Sequence, residues 1–253
     1  MKSPTVNHFG SPQELAQAAA DKWCRQIAER KNPFTVALSG GRIANDFFRE
    51  IAARARQHDG IRHGHFFWAD ERCVPPDYAD SNYRVARELL FEPLQIEASH
   101  IHRIRGEDEP ARAAAAASEE LLRMAAGGAL GTARPTQNDT VGRAVPSAPR
   151  PPILDWIFLG MGEDGHVASL FPGAEPRPGI YYDVTGPKPP PRRITLSYGV
   201  LAAALEVWVL VSGLGKEAAL QESVRPGGTT PLARVLKVRK ETEIFSDIRA
   251  KIP

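Results

Sequence analysis

Four short, almost wholly apolar runs, at residues 34–38, 65–69, 153–159 and 207–212, alternate along the chain with longer segments of helical periodicity. Runs of this length suit strands buried on both faces, and segments between them suit helices that cross over a sheet. A chain with this alternation is driven toward a parallel sheet covered by helices. Such sheets take ligands at the carboxyl ends of their strands. Three of the four runs end in an unusual cluster: Ser39-Gly40-Gly41-Arg42, Asp70-Glu71-Arg72, and Gly160-Met161-Gly162-Glu163-Asp164-Gly165-His166. If those strands are neighbours, the three clusters share one crevice.

The helical segments carry their own signals. Ser11 caps a helix over residues 12–30, with Pro12 at its first position and Glu14 completing a capping box. Leu15, Ala16, Ala19, Trp23 and Ile27 then fall on one face. Further helices are expected over 43–57, from Asp80 or Ser81 to about residue 91, over 108–126 and over 215–224, and two short ones over 229–250. Residues 100–104, 181–185 and 193–197 read as shorter strands. Residues 127–152 are rich in Gly, Pro, Ser, Thr and Ala and lack periodicity, which predicts a long loop inserted into a single domain over 1–253. The fold class expected is α/β: three layers, with a mostly parallel, Rossmann-like sheet between helices on both faces.

Composition removes several classes of function. Hydrophobic residues make up 42% and charged residues 25%, enough to build a core and too apolar for general disorder. No apolar run approaches the roughly 18 residues of a membrane span, and residues 1–10 hold no apolar signal core. A net charge of +2 with scattered Lys and Arg offers no nucleic-acid footprint. Cys24 and Cys73 are too few for a disulfide framework or a zinc site. A cytoplasmic protein with two incidental thiols is expected.

The clusters carry the chemistry. Glycines at 40 and 41 let the backbone approach a ligand, and the helix that follows offers N–H groups and a favourable dipole to an anion, with Arg42 adding a full charge. The turn is neither a P-loop nor GxGxxG, which argues against nucleoside triphosphates. Arg72 has the planar fork that suits phosphate, although a charged run of this kind is by default a solvated loop. In residues 160–166 a histidine and two carboxylates sit in a glycine-rich turn after a buried strand. An imidazole titrates at about pH 6.5 and can take and return a proton, and Asp164 is placed either to orient it or to bind a sugar hydroxyl. Asp164 and His166 alone make only two metal ligands, so no metal is expected. Lys188, in a proline-stiffened loop, and Lys216, which opposes the dipole of the helix it starts, are further candidates for an anion.

With these residues in view, the chain resembles the 6-phosphogluconolactonase family, within the broader group that includes glucosamine-6-phosphate deaminase. The matching segments are residues 38–41, 68–75 with Asp80-Ser81-Asn82-Tyr83, and 159–173, followed by Arg193-Ile194-Thr195-Leu196 and Gly213-Leu214-Gly215-Lys216. The family usually follows its glycine turn with Ser/Thr-Pro, where this chain has Arg42-Ile43-Ala44, and Val167 stands for a usual threonine. The resemblance implies hydrolysis of 6-phospho-D-glucono-1,5-lactone to 6-phosphogluconate in the oxidative pentose phosphate pathway, without a cofactor. It implies His166 as general base, with Asp70 and Asp164 positioning hydroxyls or the imidazole. Glycine-turn N–H groups, Gly162 among them, would hold the oxyanion. Ser39, Gly40, Gly41, Arg42, Arg72, Lys188, Arg193 and Lys216 would serve the phosphate. The expected partner is this small sugar-phosphate lactone, with the protein a monomer or small homo-oligomer.

Two alternatives stand beside it. A deaminase of the same group would need a glutamate in a Phe-Asn-Glu-Pro context; the matching stretch here is Ser169-Leu170-Phe171-Pro172. A sugar-phosphate sensor that binds without turnover would have no use for a poised Asp164–His166 pair.

Overall fold

A computed structural model describes residues 4–56, 58–126 and 153–248. The loop expected over 127–152 lies outside the described residues. The chain runs β1 (Thr5–His8), α1 (Pro12–Ile27), β2 (Phe34–Leu38), α2 (Arg42–Ala55), β3 (Gly64–Trp68) and β4 (Asp70–Arg72). It continues through α3 (Asn82–Ala86), a π-type turn at Arg87–Phe91, α4 (Glu92–Leu94), α5 (Pro110–Ala126), β5 (Trp156–Gly160), β6 (Tyr181–Thr185) and β7 (Arg192–Leu196). It ends with α6 (Tyr198–Ala203), β8 (Glu206–Val211), α7 (Glu217–Val224), α8 (Pro231–Val238) and β9 (Glu243–Ser246).

Six strands form one sheet in the order β1-β9-β8-β5-β2-β3, every pair parallel. Helices pack around it, so the α/β expectation holds. All five residues of β2 are buried, as a strand covered on both faces requires. Trp23 of α1 meets Phe34, Trp156 and Phe158 edge-on, with ring centroids 6.1, 6.4 and 5.3 Å away. Burying a ring of that size contributes about 3 kcal/mol or more, and this one locks α1 to two neighbouring strands, β2 and β5, at once.

Three expectations are corrected. Two helices are expected over 229–250, but among the described residues of that stretch only α8 forms; Glu243–Ser246 is a strand that fills the gap between β1 and β8. That pairing is made with residues more than thirty positions away or at the other end of the chain, so no local signal announces it. Residues 100–104 form no strand: Ile101 makes a single bridge to Phe66 beside a short 3₁₀ turn at Ala98–His100. The polar β1, unforeseen as a strand, pairs with β9 along one edge.

A second sheet, antiparallel and ordered β4-β7-β6, was also not foreseen. Ala69 is the passage between the sheets: its N–H donates to Leu38 and its carbonyl accepts from Leu196. The small sheet therefore stands over the carboxyl ends of β2 and β3. Since β2 leads to β3 on one side and has β5 on the other, the order reverses at β2, and the crevice opens there. Among the described residues no helix is long and apolar enough to cross a membrane.

Candidate active site

The three clusters do converge. Ser39, Gly40, Gly41 and Arg42 at the β2–α2 junction, Asp70 and Arg72 on β4, and Gly162 and His166 after β5 line one cleft of about 120 Å³, with Arg193 of β7 and Lys216. The close approach of the first cluster to the start of α3 needs glycine at 40, whereas Gly160 meets the first cluster at ordinary contact distance. A Cβ on Gly160 would lie 3.4 Å from the Gly40 carbonyl, and one on Gly40 would lie 1.9 Å from Asn82 Oδ1.

The turn after β5 is closed by its own backbone. Gly162 N–H donates to the His166 carbonyl at 2.9 Å, and Gly165 N–H to the Gly162 carbonyl at 3.1 Å. This corrects the expected oxyanion role of Gly162: its amide is consumed inside the turn. What Gly162 supplies is space, since a Cβ there would sit 2.1 Å from the His166 ring. The next residue but one after the histidine, Ala168, adopts a left-handed φ of 49°, an uncommon conformation for a residue with a Cβ.

His166 Nδ1 stands 2.5 Å from Asp164 Oδ1, which also accepts the His166 backbone N–H at 3.1 Å. Burial pushes the Asp164 carboxyl up, but the hydrogen bond and charge of His166, with backbone N–H groups, outweigh it and hold the pKa below its ordinary value. An ionised carboxylate only accepts, so in the neutral imidazole the proton sits on Nδ1 and the lone pair on Nε2. The ring also leans on Phe171, centroids 5.0 Å apart. Asp164 itself does not line the cleft; it acts on the imidazole from behind.

Asp70 is buried, and its carboxylate accepts from Ser169 Oγ at 2.7 Å and, at 3.4 Å, from Asn82 Nδ2. It faces the cleft as a fixed acceptor. Arg72 and Arg193 are register partners on β4 and β7 and meet side by side. Burial lowers the Arg193 pKa, and the Arg72 charge lowers it further. Arg193 is held by the carbonyls of Pro190 and Lys188 and lies over Phe171. Lys216 is lowered by burial and then by Arg42, whose guanidinium reaches toward the loop after β8, within 3.6 Å of where a Gly213 Cβ would be. Two pairs of cations thus crowd one small cleft. Ser39 Oγ and Arg72 Nε are buried there without a protein partner.

Lys188 is a correction. Its side chain is 77% exposed, pairs with Glu163 at 3.8 Å and does not line the cleft; only its backbone carbonyl serves the site, through Arg193. The sequence reading missed Asn82, whose Nδ2 donates to the Asp70 carbonyl at 2.8 Å and which lines the cleft. The signal was the Asp80-Ser81-Asn82 helix start, read as a cap and as part of a segment that matches the family, with no site role given to Asn82. It also passed over Glu71, which is 2% exposed. Burial pushes the Glu71 carboxyl up to about 7 against three backbone N–H donors. Among the described residues no group of His, Cys, Asp and Glu is arranged to hold a metal ion.

The profile of the family described as glucosamine-6-phosphate isomerases/6-phosphogluconolactonase matches residues 10–244. A probable chloroplastic 6-phosphogluconolactonase 3 of Oryza sativa subsp. indica is 35% identical over 223 residues, which cover 85% of this chain and 64% of that protein. The chain thus spans under two thirds of the rice relative's length. A 6-phosphogluconolactonase of Mycobacterium leprae (strain TN) is 31% identical over 266 aligned positions, covering 99% of both chains. Among solved structures, the 6-phosphogluconolactonase from Trypanosoma brucei has a TM-score of 0.76 at 25% identity, covering 97% of each chain.

Proposed function

The chain belongs to the glucosamine-6-phosphate isomerase/6-phosphogluconolactonase family, and we propose that it hydrolyses 6-phospho-D-glucono-1,5-lactone to 6-phospho-D-gluconate with His166 as general base. The observation that carries this reading is the Asp164–His166 pair at the edge of a cleft lined by Arg42, Arg72, Arg193 and Lys216. A sugar phosphate brings about two negative charges at neutral pH, and four cations with one hydrogen-bonded carboxylate answer that charge. The Ser39 hydroxyl and the start of α2 add donors.

In the mechanism, Nε2 removes a proton from a water molecule as its oxygen attacks the lactone carbonyl carbon. The carbonyl oxygen becomes an oxyanion in a site of strong positive potential. Collapse breaks the bond from the carbonyl carbon to the ring oxygen, and the imidazolium returns the proton to that oxygen. Asp164 stabilises the imidazolium and keeps the ring in the productive tautomer. The remote phosphate, bound by the cations, orients the ring. Both sheets supply walls of the cleft, so the chain acts as one catalytic unit.

The test generates the lactone in situ with glucose-6-phosphate dehydrogenase and reads the acid with 6-phosphogluconate dehydrogenase, against a blank without the protein. Acceleration over the blank that disappears in His166→Ala supports the reading. A rate equal to the blank refutes it and favours a sugar-phosphate sensor.

A further inference from the structure

Behind the cationic wall of the cleft lies a carboxylate that the mechanism does not use. Alternation along β4 turns Asp70 and Arg72 to the cleft and Glu71 away from it, toward the start of α3. There Glu71 Oε1 accepts from the backbone N–H groups of Arg72 and Asn82, both at 2.8 Å. Its Oε2 accepts from Tyr83 N–H at 2.7 Å and from Ser81 Oγ at 3.2 Å. Four donors from two segments close on one buried side chain.

The segment it holds, residues 80–83, is the mount for three parts of the cleft. The Asp80 carbonyl accepts from Arg72 Nη1 at 2.7 Å and so fixes the guanidinium. Asn82 ties the Asp70 carbonyl and wedges against Gly40, where even a Cβ would not fit. Movement of this segment moves Arg72 and the glycine turn together, while His166 is held independently by its own turn and Asp164.

We propose that Glu71 is the positioning residue of the phosphate-binding wall: by clamping residues 80–83 it sets the aim of Arg72 and the shape of the Gly40–Gly41 turn, and through them the affinity for the substrate's phosphate. This rests on the lactonase reading of the cleft. Glu71 touches no substrate, and its effect falls on binding rather than on the proton transfer at His166.

The experiment compares wild type with Glu71→Gln, which keeps shape but replaces one acceptor oxygen with an NH₂ that faces N–H donors. Steady-state turnover of the phosphorylated lactone and competitive inhibition by inorganic phosphate are measured together. KM and the phosphate Ki are both expected to rise about tenfold, with kcat within about threefold of wild type. Glu71→Asp keeps the charge on a shorter arm; it carries the same test if the glutamine variant does not fold, and a smaller rise in both constants is expected from it. Unchanged phosphate Ki in the folded variants, or a loss confined to kcat, overturns the positioning role, since simple destabilisation lowers the active fraction without weakening phosphate. Wild-type turnover equal to the blank would instead sink the lactonase reading, and this inference with it.

Discussion

Replacing Gly162 with alanine tests whether the place of the His166 ring, rather than its mere presence, makes the site work. The backbone accepts the change, because Gly162 is not among the glycines with positive φ. The added Cβ would lie 2.1 Å from both Cε1 and Nδ1 of His166 and 2.9 Å from Asp164 Oδ1. Carbon atoms rest about 3.5–4 Å apart, so the ring must retreat by roughly 1.5 Å. It has somewhere to go, since the His166 side chain is 29% exposed, and the folding cost stays near 1 kcal/mol. The retreat breaks the 2.5 Å bond to Asp164 and carries Nε2 off the line to the water. A misplacement of about 1 Å can cost about a hundredfold, and losing the aspartate's orientation adds to it. We expect kcat to fall by about 10²–10³, close to 3–4 kcal/mol. KM and product binding should change little, because none of the four cations is touched. Coupled turnover gives the first quantity and calorimetric titration with 6-phosphogluconate the second. A folded Gly162→Ala protein with kcat within about threefold of wild type would refute the placement argument.

Three further outcomes are expected. Asp164→Asn offers His166 an amide donor in place of an acceptor, reverses the tautomer and should lower kcat by about 10³–10⁴ with KM nearly unchanged; a mild loss in the same assay would reject Asp164 as the orienting group. His65 is set among His100 and His102, with Glu120 and Arg123 beyond, and burial followed by those two imidazoles lowers it to about 4. The folded state then binds fewer protons than the unfolded one between about pH 6.5 and 4, so stability falls as pH falls through that window; urea unfolding across it should show a shallower decline in His65→Gln, and identical slopes would contradict the assignment. Arg239 donates to the carbonyls of Leu201, Ala202, Ala204, Leu205 and Glu241, so Arg239→Met should cost about 3 kcal/mol of stability in chemical denaturation while leaving kcat intact; a neutral effect on stability would show the carbonyls to be satisfied by water.

The strands that the sequence displays are those buried on both faces. Residues 34–38 and 207–212 carry their burial in their composition, and β2 and β8 formed where expected, within a residue. Thr5–His8 and Glu243–Ser246 are four residues each and become strands only by pairing with one another and with β8, a contact between chain ends. The candidate site was legible in the same uneven way. Glycine patterns mark where the backbone turns but not what it does there: Ser39-Gly40-Gly41 alone is a weak signal that any strand-to-helix turn could give, and the Gly162 amide in Gly160–His166 closes its own turn. Side-chain destinations are not marked at all: Lys188 and Lys216 look alike in sequence, yet one ends on Glu163 at the rim and the other in the cleft beside Arg42.

The charged triplet at 70–72 shows why. A run of three ionisable residues ordinarily means water, and burial of even one without partners costs several kcal/mol. Here β4 buries two of them, because each has its donors in place: Ser169 and Asn82 for Asp70, and three backbone N–H groups with Ser81 for Glu71. Apart from the Arg72 N–H, those donors come from segments ten to a hundred positions away, so no local reading could supply them. The third residue, Arg72, is left with a buried Nε that no protein group satisfies, next to an Arg193 already lowered by burial and by Arg72's own charge. The fold thus satisfies the anions of this strand internally and leaves its one cation, Arg72, with an unpartnered Nε. That imbalance is what a dianionic ligand would correct, and it is the physical argument for the proposed binding of a sugar phosphate in this cleft.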